Sequence, residues 1–225
     1  MIKLKPLIDY IGLQEFKTYF KETPFMVTTE YEAVSDLFSW DDVSEYMNSY
    51  SRIPAMSRVP DIHVFLPKNR MIIARRLKKP LSKIDFWRYW KLNYGMCLPA
   101  ISNVNRPLYT QVREFEQLYK SKCQIDAYIY GDKESSVRMA HILTGDMFFS
   151  VSSGLIDVTI FEEKWDRSDV DGLNVQDVFT VGPNDILYIP AGHYIKMKPL
   201  ERTLALGIIN DHKGRQFKRE PFYEY

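Results

Sequence analysis

The sequence predicts a mainly β protein of the α+β class, with a helical layer in the first half and an antiparallel jelly-roll or barrel in the second. Up to residue 122, apolar residues recur mostly at helical spacing, whereas residues 123–225 contain short alternating segments separated by turn residues. Helical segments that precede a run of strands are typical of an α+β arrangement. The 225 residues fit one integrated domain, in which segment 1–122 packs on segment 123–225.

The first elements are a helix, a strand and a second helix. Apolar residues from Leu13 to Phe20 form a helical stripe that Pro24 ends, because proline cannot continue a helix. Residues 25–29 have the composition of a strand. Ser39 has the side chain of an N-cap residue, and it opens a helix through about Ser49.

Irregular connections follow, with short strands expected at Ile62–Leu66 and Met71–Ala74. The segment from Ser82 to Asp85 is similar to a capping box and precedes a strongly aromatic helix. Pro107 opens a further helix, because proline is well accommodated in the first turn.

Eight strands are expected in the second half, separated by segments that contain Gly, Pro, Asn or Ser. They are Gln124–Tyr130, Met139–Leu143, Asp146–Ser150, Leu155–Phe161, Asp177–Val181, Asp185–Ile189, Tyr194–Lys198 and Thr203–Ile208. Their period-2 pattern predicts a buried core that includes Phe148, Ile160, Ile186, Tyr188 and Leu206.

Composition excludes several functional classes. The 30 Lys and Arg against 29 Asp and Glu give a net charge of +1, which argues against a nucleic-acid partner. Cys97 and Cys123 are too few for a disulfide scaffold or a cysteine zinc finger. No apolar run is long enough to span a membrane and no signal-peptide core is present, so we expect a cytoplasmic protein without a membrane partner.

Two segments carry a resemblance to a known family. The segment from Met139 through His141 and Asp146 to Gly154, together with the segment from Asp185 to Gly192, resembles the JmjC-type cupins. Segments similar to the family occur along most of the chain, and they follow one another in the order found in the family. It implies a double-stranded β-helix with an N-terminal helical layer, in a family whose members are mostly Fe(II)- and 2-oxoglutarate-dependent oxygenases.

The chemistry of that family needs two histidines and one carboxylate around iron. By the resemblance, His141 falls on the first histidine, Leu143 on the carboxylate and Ile195 on the second histidine. Ile156 stands where one branch of the family has a basic residue for 2-oxoglutarate. Since Leu and Ile offer no lone pair, the resemblance implies a catalytically degenerate member with no cofactor, which acts in binding or assembly.

Two alternatives stay open. One is an active hydroxylase of a protein or small molecule, with Fe(II) and 2-oxoglutarate at a rearranged metal site of His141, Asp146 and His193. Hydrogen-bonded barrel roles for both histidines are favoured over that site. The other alternative is a cupin-type enzyme that needs no metal.

The partner is an unidentified protein or small molecule, and a homodimer is also expected. The upstream helices carry more aromatic side chains than one barrel face needs. These are Phe86, Trp87, Tyr89, Trp90, Phe115 and Tyr119.

Overall fold

The computed structural model describes residues 22–29, 37–50, 61–68, 71–77, 83–119, 121–131, 139–142, 145–164 and 173–211. The helices in this part are α1 (Trp40–Tyr50), α2 (Lys83–Lys91), α3 (Arg106–Tyr119) and a short 3₁₀ helix (Ile101–Asn103). The strands are β1 (Phe25–Thr28), β2 (Ile62–Lys68), β3 (Met71–Leu77), β4 (Gly95–Leu98), β5 (Lys122–Tyr130), β6 (Met139–Ile142), β7 (Asp146–Ser153), β8 (Ile156–Lys164), β9 (Val175–Val181), β10 (Asp185–Ile189), β11 (His193–Pro199) and β12 (Thr203–Asp211). The helix predicted from Leu13 to Phe20 lies outside the described residues.

The strands form two antiparallel sheets. The larger sheet has eight strands in the order β1-β10-β7-β12-β5-β4-β2-β3, and the smaller has four in the order β6-β11-β8-β9. Strands that are distant in sequence alternate within each sheet, as in a jelly-roll. The predicted double-stranded β-helix with a helical layer is therefore confirmed.

Both faces of the larger sheet are buried. Side chains alternate between the two faces along each strand, so each strand contributes to two different cores. On β5, Ile125 and Ile129 join a core formed with the helices, whereas Tyr128 and Tyr130 join a core formed with the smaller sheet. We call the first the helical-layer core. The second fills the space between the two sheets, which we call the lumen.

The helical layer is held by aromatic and aliphatic side chains that are fully buried. Tyr50 of α1, Phe86 of α2 and Phe115 of α3 all lie in the helical-layer core. Ser39 caps α1 as predicted: its Oγ accepts from the Asp42 backbone N–H at 3.3 Å, and its own backbone N–H donates to the Asp42 carboxylate at 2.7 Å. This is the capping-box arrangement, with Asp in place of Glu.

The predicted core residues are buried. Their exposed fractions are 1% for Phe148, 0% for Ile160, 1% for Ile186, 0% for Tyr188 and 2% for Leu206. All but Ile160 lie in the helical-layer core, and Ile160 lies in the lumen.

Strands from the first half of the chain complete the larger sheet. Phe25 of β1 is the register partner of Tyr188, and Met96 of β4 is the register partner of Ile129. Segment 1–122 thus supplies four strands to this sheet as well as the helices. Within the described residues, no helix is long and apolar enough to span a bilayer.

Candidate functional site in the barrel lumen

By the resemblance, two of the family's ligand positions correspond to residues that pair across two neighbouring strands. Residues His141 of β6 and Ile195 of β11 are direct register partners in the smaller sheet. Ile195 is fully buried and belongs to the lumen. The backbone therefore brings these two positions together, and an aliphatic side chain occupies one of them.

The position of the family's basic residue also lies in the lumen. Ile156 begins β8, is fully buried and packs in the same cluster as Ile195. Its register partners are Val181 of β9 and Pro199 of β11. No charge at Ile156 is available to pair with a carboxylate.

Leu143 and the side chain of His141 lie outside the described residues. The proposed ligand set of His141, Asp146 and His193 therefore stays a prediction, and its other two members have defined places.

Asp146 begins β7, and strand alternation puts it on the same face of the larger sheet as Phe148, toward the helical-layer core. It is 3% exposed, and its Oδ1 accepts a 2.8 Å hydrogen bond from the backbone N–H of Ala191. This bond ties the start of β7 to the turn that leads from β10 into β11. The carboxylate thus has a structural role, and it lies on a strand of the larger sheet, whereas the strands of His141 and His193 belong to the smaller sheet.

His193 begins β11 and is buried, with 2% exposed. Its Nδ1 lies 3.1 Å from the carbonyl oxygen of Phe161. A carbonyl oxygen only accepts, so this contact assigns the donating proton to Nδ1. The contact fixes the imidazole against the end of β8, next to a register shift between β8 and β11.

Among the described residues, no three His, Cys, Asp or Glu side chains come together as a group that could hold a metal ion. Iron centres of this type need imidazole and carboxylate ligands on one face of the metal. By the resemblance, the buried aliphatic chains of Ile156 and Ile195 stand at two positions where the family has ionisable groups.

The lumen wall contains one buried carboxylate that the sequence reasoning missed. Asp126 of β5 is 7% exposed, and its Oδ1 accepts hydrogen bonds from the Ala100 backbone N–H at 2.8 Å and from Gln124 Nε2 at 2.6 Å. Burial raises the pKa of Asp126 to about 6, against the opposing effect of the two hydrogen bonds. The available signal was an aspartate inside an otherwise apolar strand.

Neighbouring lumen groups stay neutral. Burial, and then the negative charge of Asp126, raise the pKa of the Cys97 thiol, which lies 4.0 Å from the carboxylate. Burial likewise raises the pKa of Tyr128 and of Tyr130. The Tyr130 hydroxyl donates to the sulfur of Met197 at 3.2 Å. None of these groups is an ionised nucleophile at neutral pH.

Comparison with known proteins supports the fold. No protein-family model and no curated protein matches the sequence. Several solved structures of YcfD, a ribosomal oxygenase from Escherichia coli, are similar in structure. One is 14% identical, with a TM-score of 0.68 over 91% of this chain and 53% of that chain. The complex of YcfD with cobalt and 2-oxoglutarate is 15% identical, with a TM-score of 0.67 over 91% and 53%.

A third structure, of YcfD with cobalt and succinic acid, is 16% identical, with a TM-score of 0.66 over 91% of this chain and 52% of that chain. The chain therefore spans about half the length of these oxygenase structures. At such identities the likeness establishes the fold, a double-stranded β-helix of the JmjC/cupin type.

Proposed function

We propose that this protein is a catalytically degenerate relative of the 2-oxoglutarate oxygenases that acts in binding or assembly. The observation that carries the proposal is Ile195, which is fully buried in the lumen at the position where the family places its second histidine. The similar fold of YcfD, solved with cobalt and 2-oxoglutarate, supports the choice of family.

The cosubstrate position supports the same conclusion. A 2-oxoglutarate carboxylate buried without a cation would lose its hydration with no compensating partner, which costs several kcal/mol. Ile156 and Ile195 line the lumen where ionised groups would be required. An apolar lumen packs well but does not attract a dianionic cosubstrate.

The alternative, an active hydroxylase with a rearranged site, would require Asp146 to leave its present contact. Its Oδ1 would give up the hydrogen bond from Ala191, and the turn ahead of β11 would lose its anchor. The contact of His193 Nδ1 with the Phe161 carbonyl is compatible with a metal at Nε2, so the Asp146 contact is the one that weighs against this site. We therefore propose hydrogen-bonded structural roles for both residues.

Calorimetric titration with Mn²⁺, a redox-stable substitute for Fe²⁺, tests the proposal with and without 2-oxoglutarate. We expect no stoichiometric binding, because the aliphatic ligand positions donate no lone pair. We also expect no succinate from 2-oxoglutarate in the presence of Fe²⁺. A metal bound one to one, with turnover of 2-oxoglutarate, would establish the active alternative instead.

Restoring the ligands is a second test. Leu143→Asp with Ile195→His should bring two histidines and one carboxylate together, since position 195 is the register partner of His141. We expect Mn²⁺ affinity to rise from negligible to measurable, because three convergent ligands replace one. Turnover need not follow, because Ile156 still provides no cation for 2-oxoglutarate.

The matched control combines Leu143→Asp with Met197→His, which places the new imidazole on the same lumen face two residues further along β11. Circular dichroism must show that both double variants fold, because each new polar group costs about 1–3 kcal/mol. Equal Mn²⁺ affinity of the two folded variants would show that positions 141, 143 and 195 do not converge.

A further inference from the structure

Three tryptophans and one arginine form a surface at one end of the barrel, which we call the Trp–Arg patch. It comprises Trp40 of α1, Trp87 and Trp90 of α2, and Arg202 in the turn between β11 and β12. The guanidinium carbon of Arg202 lies 4.0 Å from the ring centre of Trp40 and 5.2 Å from that of Trp90. The ring centres of Trp40 and Trp90 are 5.1 Å apart, and those of Trp87 and Trp90 are 6.2 Å apart.

The backbone of the turn that carries Arg202 is anchored to a neighbouring hairpin. The turn that carries it is fastened to the end of the β7–β8 hairpin by hydrogen bonds from the Leu200 N–H and the Thr203 hydroxyl to the Leu155 carbonyl, at 2.9 and 3.0 Å. Gly154 packs directly against the Arg202 carbonyl oxygen. Trp40 is tied to the same hairpin, since its Nε1–H donates to Ser153 Oγ at 3.4 Å.

This arrangement leaves the polar edge of Arg202 available. The guanidinium carbon lies over the Trp40 ring, and the Trp90 ring is inclined by 61° to the Trp40 ring. Ring contacts of this kind do not use the five N–H donors, which lie in the guanidinium plane. Arg202 is exposed, and within the described part of the chain it has no hydrogen bond or ion pair. A stacked arginine with unused donors is preorganised for a carboxylate or phosphate, because little further side-chain entropy is lost on binding.

The surrounding charges select between those two anions. Arg88 and Lys91 are exposed on the turn of α2 that carries Trp87 and Trp90, and they add positive charge beside the patch. Exposed Asp41 and Glu201 are the sequence neighbours of Trp40 and Arg202. Because these acids repel any anion, they favour a ligand that combines a few charges with apolar side chains for the tryptophan rings over a continuous phosphate backbone.

We propose that the Trp–Arg patch is the docking site for an acidic segment of a protein partner. A carboxylate of that segment takes the free edge of Arg202, and its apolar neighbours cover the half-buried rings of Trp87 and Trp90. Tryptophan and arginine are the residue types that most often dominate binding energy at protein interfaces. The inference rests on the proposed binding role and names the chemistry of the partner.

The test uses two short fluorescein-labelled peptides, one alternating Asp and Glu with Leu and Phe, the other with Asn and Gln in place of the acids. We expect fluorescence anisotropy to show binding of the acidic peptide, accompanied by a change in tryptophan fluorescence. The amide peptide should bind at least about tenfold more weakly. Raising the salt concentration should weaken the binding of the acidic peptide more than the binding of the amide peptide.

Arg202→Gln should lower the affinity for the acidic peptide at least about tenfold, because the substitution removes the charge-assisted hydrogen bonds. Arg106→Gln is the matched control, since Arg106 is an equally exposed arginine on α3 outside the patch. Arg202→Lys keeps the charge but loses the planar fork, and it should bind with intermediate affinity. If Arg202→Gln does not fold, the Lys variant and the peptide pair on the unaltered protein decide the question.

Equal binding of the two peptides, or equal binding by the folded Arg202→Gln and Arg106→Gln variants, would overturn the proposal. Arg202-dependent binding of oligouridylate in place of the acidic peptide would assign the patch to nucleic acid. Light scattering that shows Arg202-dependent self-association would assign it to a second copy of the chain. The Mn²⁺ titration tests the metal site and the peptide experiment tests the Trp–Arg patch. Failure of one proposal can therefore be distinguished from failure of the other.

Discussion

Asp126 makes the stability of the protein depend on pH in an unusual direction. Its pKa rises from an ordinary value of 3.8 to about 6 in the folded protein, chiefly through burial. Between these two values the folded state holds more protons than the unfolded state, so this residue lowers stability as the pH rises. Above about pH 6 the loss is complete and amounts to roughly 3 kcal/mol.

Asp126→Asn should remove that loss, because the amide oxygen still accepts from Ala100 and Gln124 and the new side chain does not titrate. We expect the variant to gain stability relative to the parent as the pH rises from about 4 to about 6. Urea unfolding at several pH values measures the difference. If the free energies of unfolding of the parent and the variant changed in parallel between about pH 4 and about pH 6, this result would contradict the raised pKa of Asp126.

The burial of single residues could be predicted where it follows from local pattern. Phe148, Tyr188 and Leu206 lie on strands whose period-2 alternation the sequence displays. The contact of Asp126 with Ala100 and those of Arg202 with Trp40 and Trp90 could not be predicted, because these partners are distant in the chain. Ala100 is 26 residues from Asp126.

At the scale of elements, two glycines with positive φ offer a matched pair of substitutions. Gly154 in the β7–β8 hairpin has φ +97° and Gly192 before β11 has φ +91°. A Cβ at Gly154 would press on the Arg202 carbonyl oxygen and lie 2.8 Å from the Thr203 Cα, whereas a Cβ at Gly192 has nothing within 4 Å.

Gly192→Ala should therefore cost only the backbone strain, about 1–2 kcal/mol. Gly154→Ala should cost at least about 2 kcal/mol more, because the hairpin and the β11–β12 turn must separate. Thermal unfolding of both variants checks the difference. Equal melting temperatures would mean that the hairpin does not pack closely on the turn.

Element boundaries were predictable where turn residues bracket a strand. Asp185–Ile189 has the bounds that the sequence predicts, because a Gly-Pro-Asn turn precedes it and Pro190 follows it. β4, Gly95–Leu98, was not predicted. It contains no β-branched residue and is buried throughout, so it shows neither strand composition nor alternation.

For the whole molecule, the shared larger sheet predicts one cooperative unit. The helical-layer core and the lumen lie on opposite faces of the same strands, so neither core can open widely without disturbing the other. Each core contains one cysteine: Cys97 in the lumen and Cys123 in the helical-layer core. Both are buried, and burial raises the pKa of Cys123 to about 12.

Labelling with a thiol reagent in increasing urea should therefore give the same free energy of opening for Cys97 and Cys123. Peptide mass spectrometry distinguishes the two sites. A much lower value for Cys123 would mean that α3 and its packing partners open as a separate unit. That outcome would contradict a single integrated domain built from segments 1–122 and 123–225.

Sequence patterns indicated the fold class but not the strand order. The helical and strand periodicities, with the turn residues, suffice for a helical layer and a jelly-roll. The pairing of β4 with β5, and of β1 with β10, depends on contacts between segments far apart in the chain. No local pattern encodes such pairings. The sequence therefore predicts a mainly helical first half and does not indicate that its strands extend the larger sheet.

Aliphatic residues in the lumen bear on the balance between catalytic activity and thermal stability. A barrel that keeps ionisable ligands at its centre gives up packing there, and this is a common reason why enzymes are less stable than their folds allow. In this chain Ile156 and Ile195 place fully buried aliphatic side chains in the lumen. On the proposed loss of the metal site, this scaffold would be released from that compromise, and its lumen could evolve for stability while recognition evolves on the outer surface.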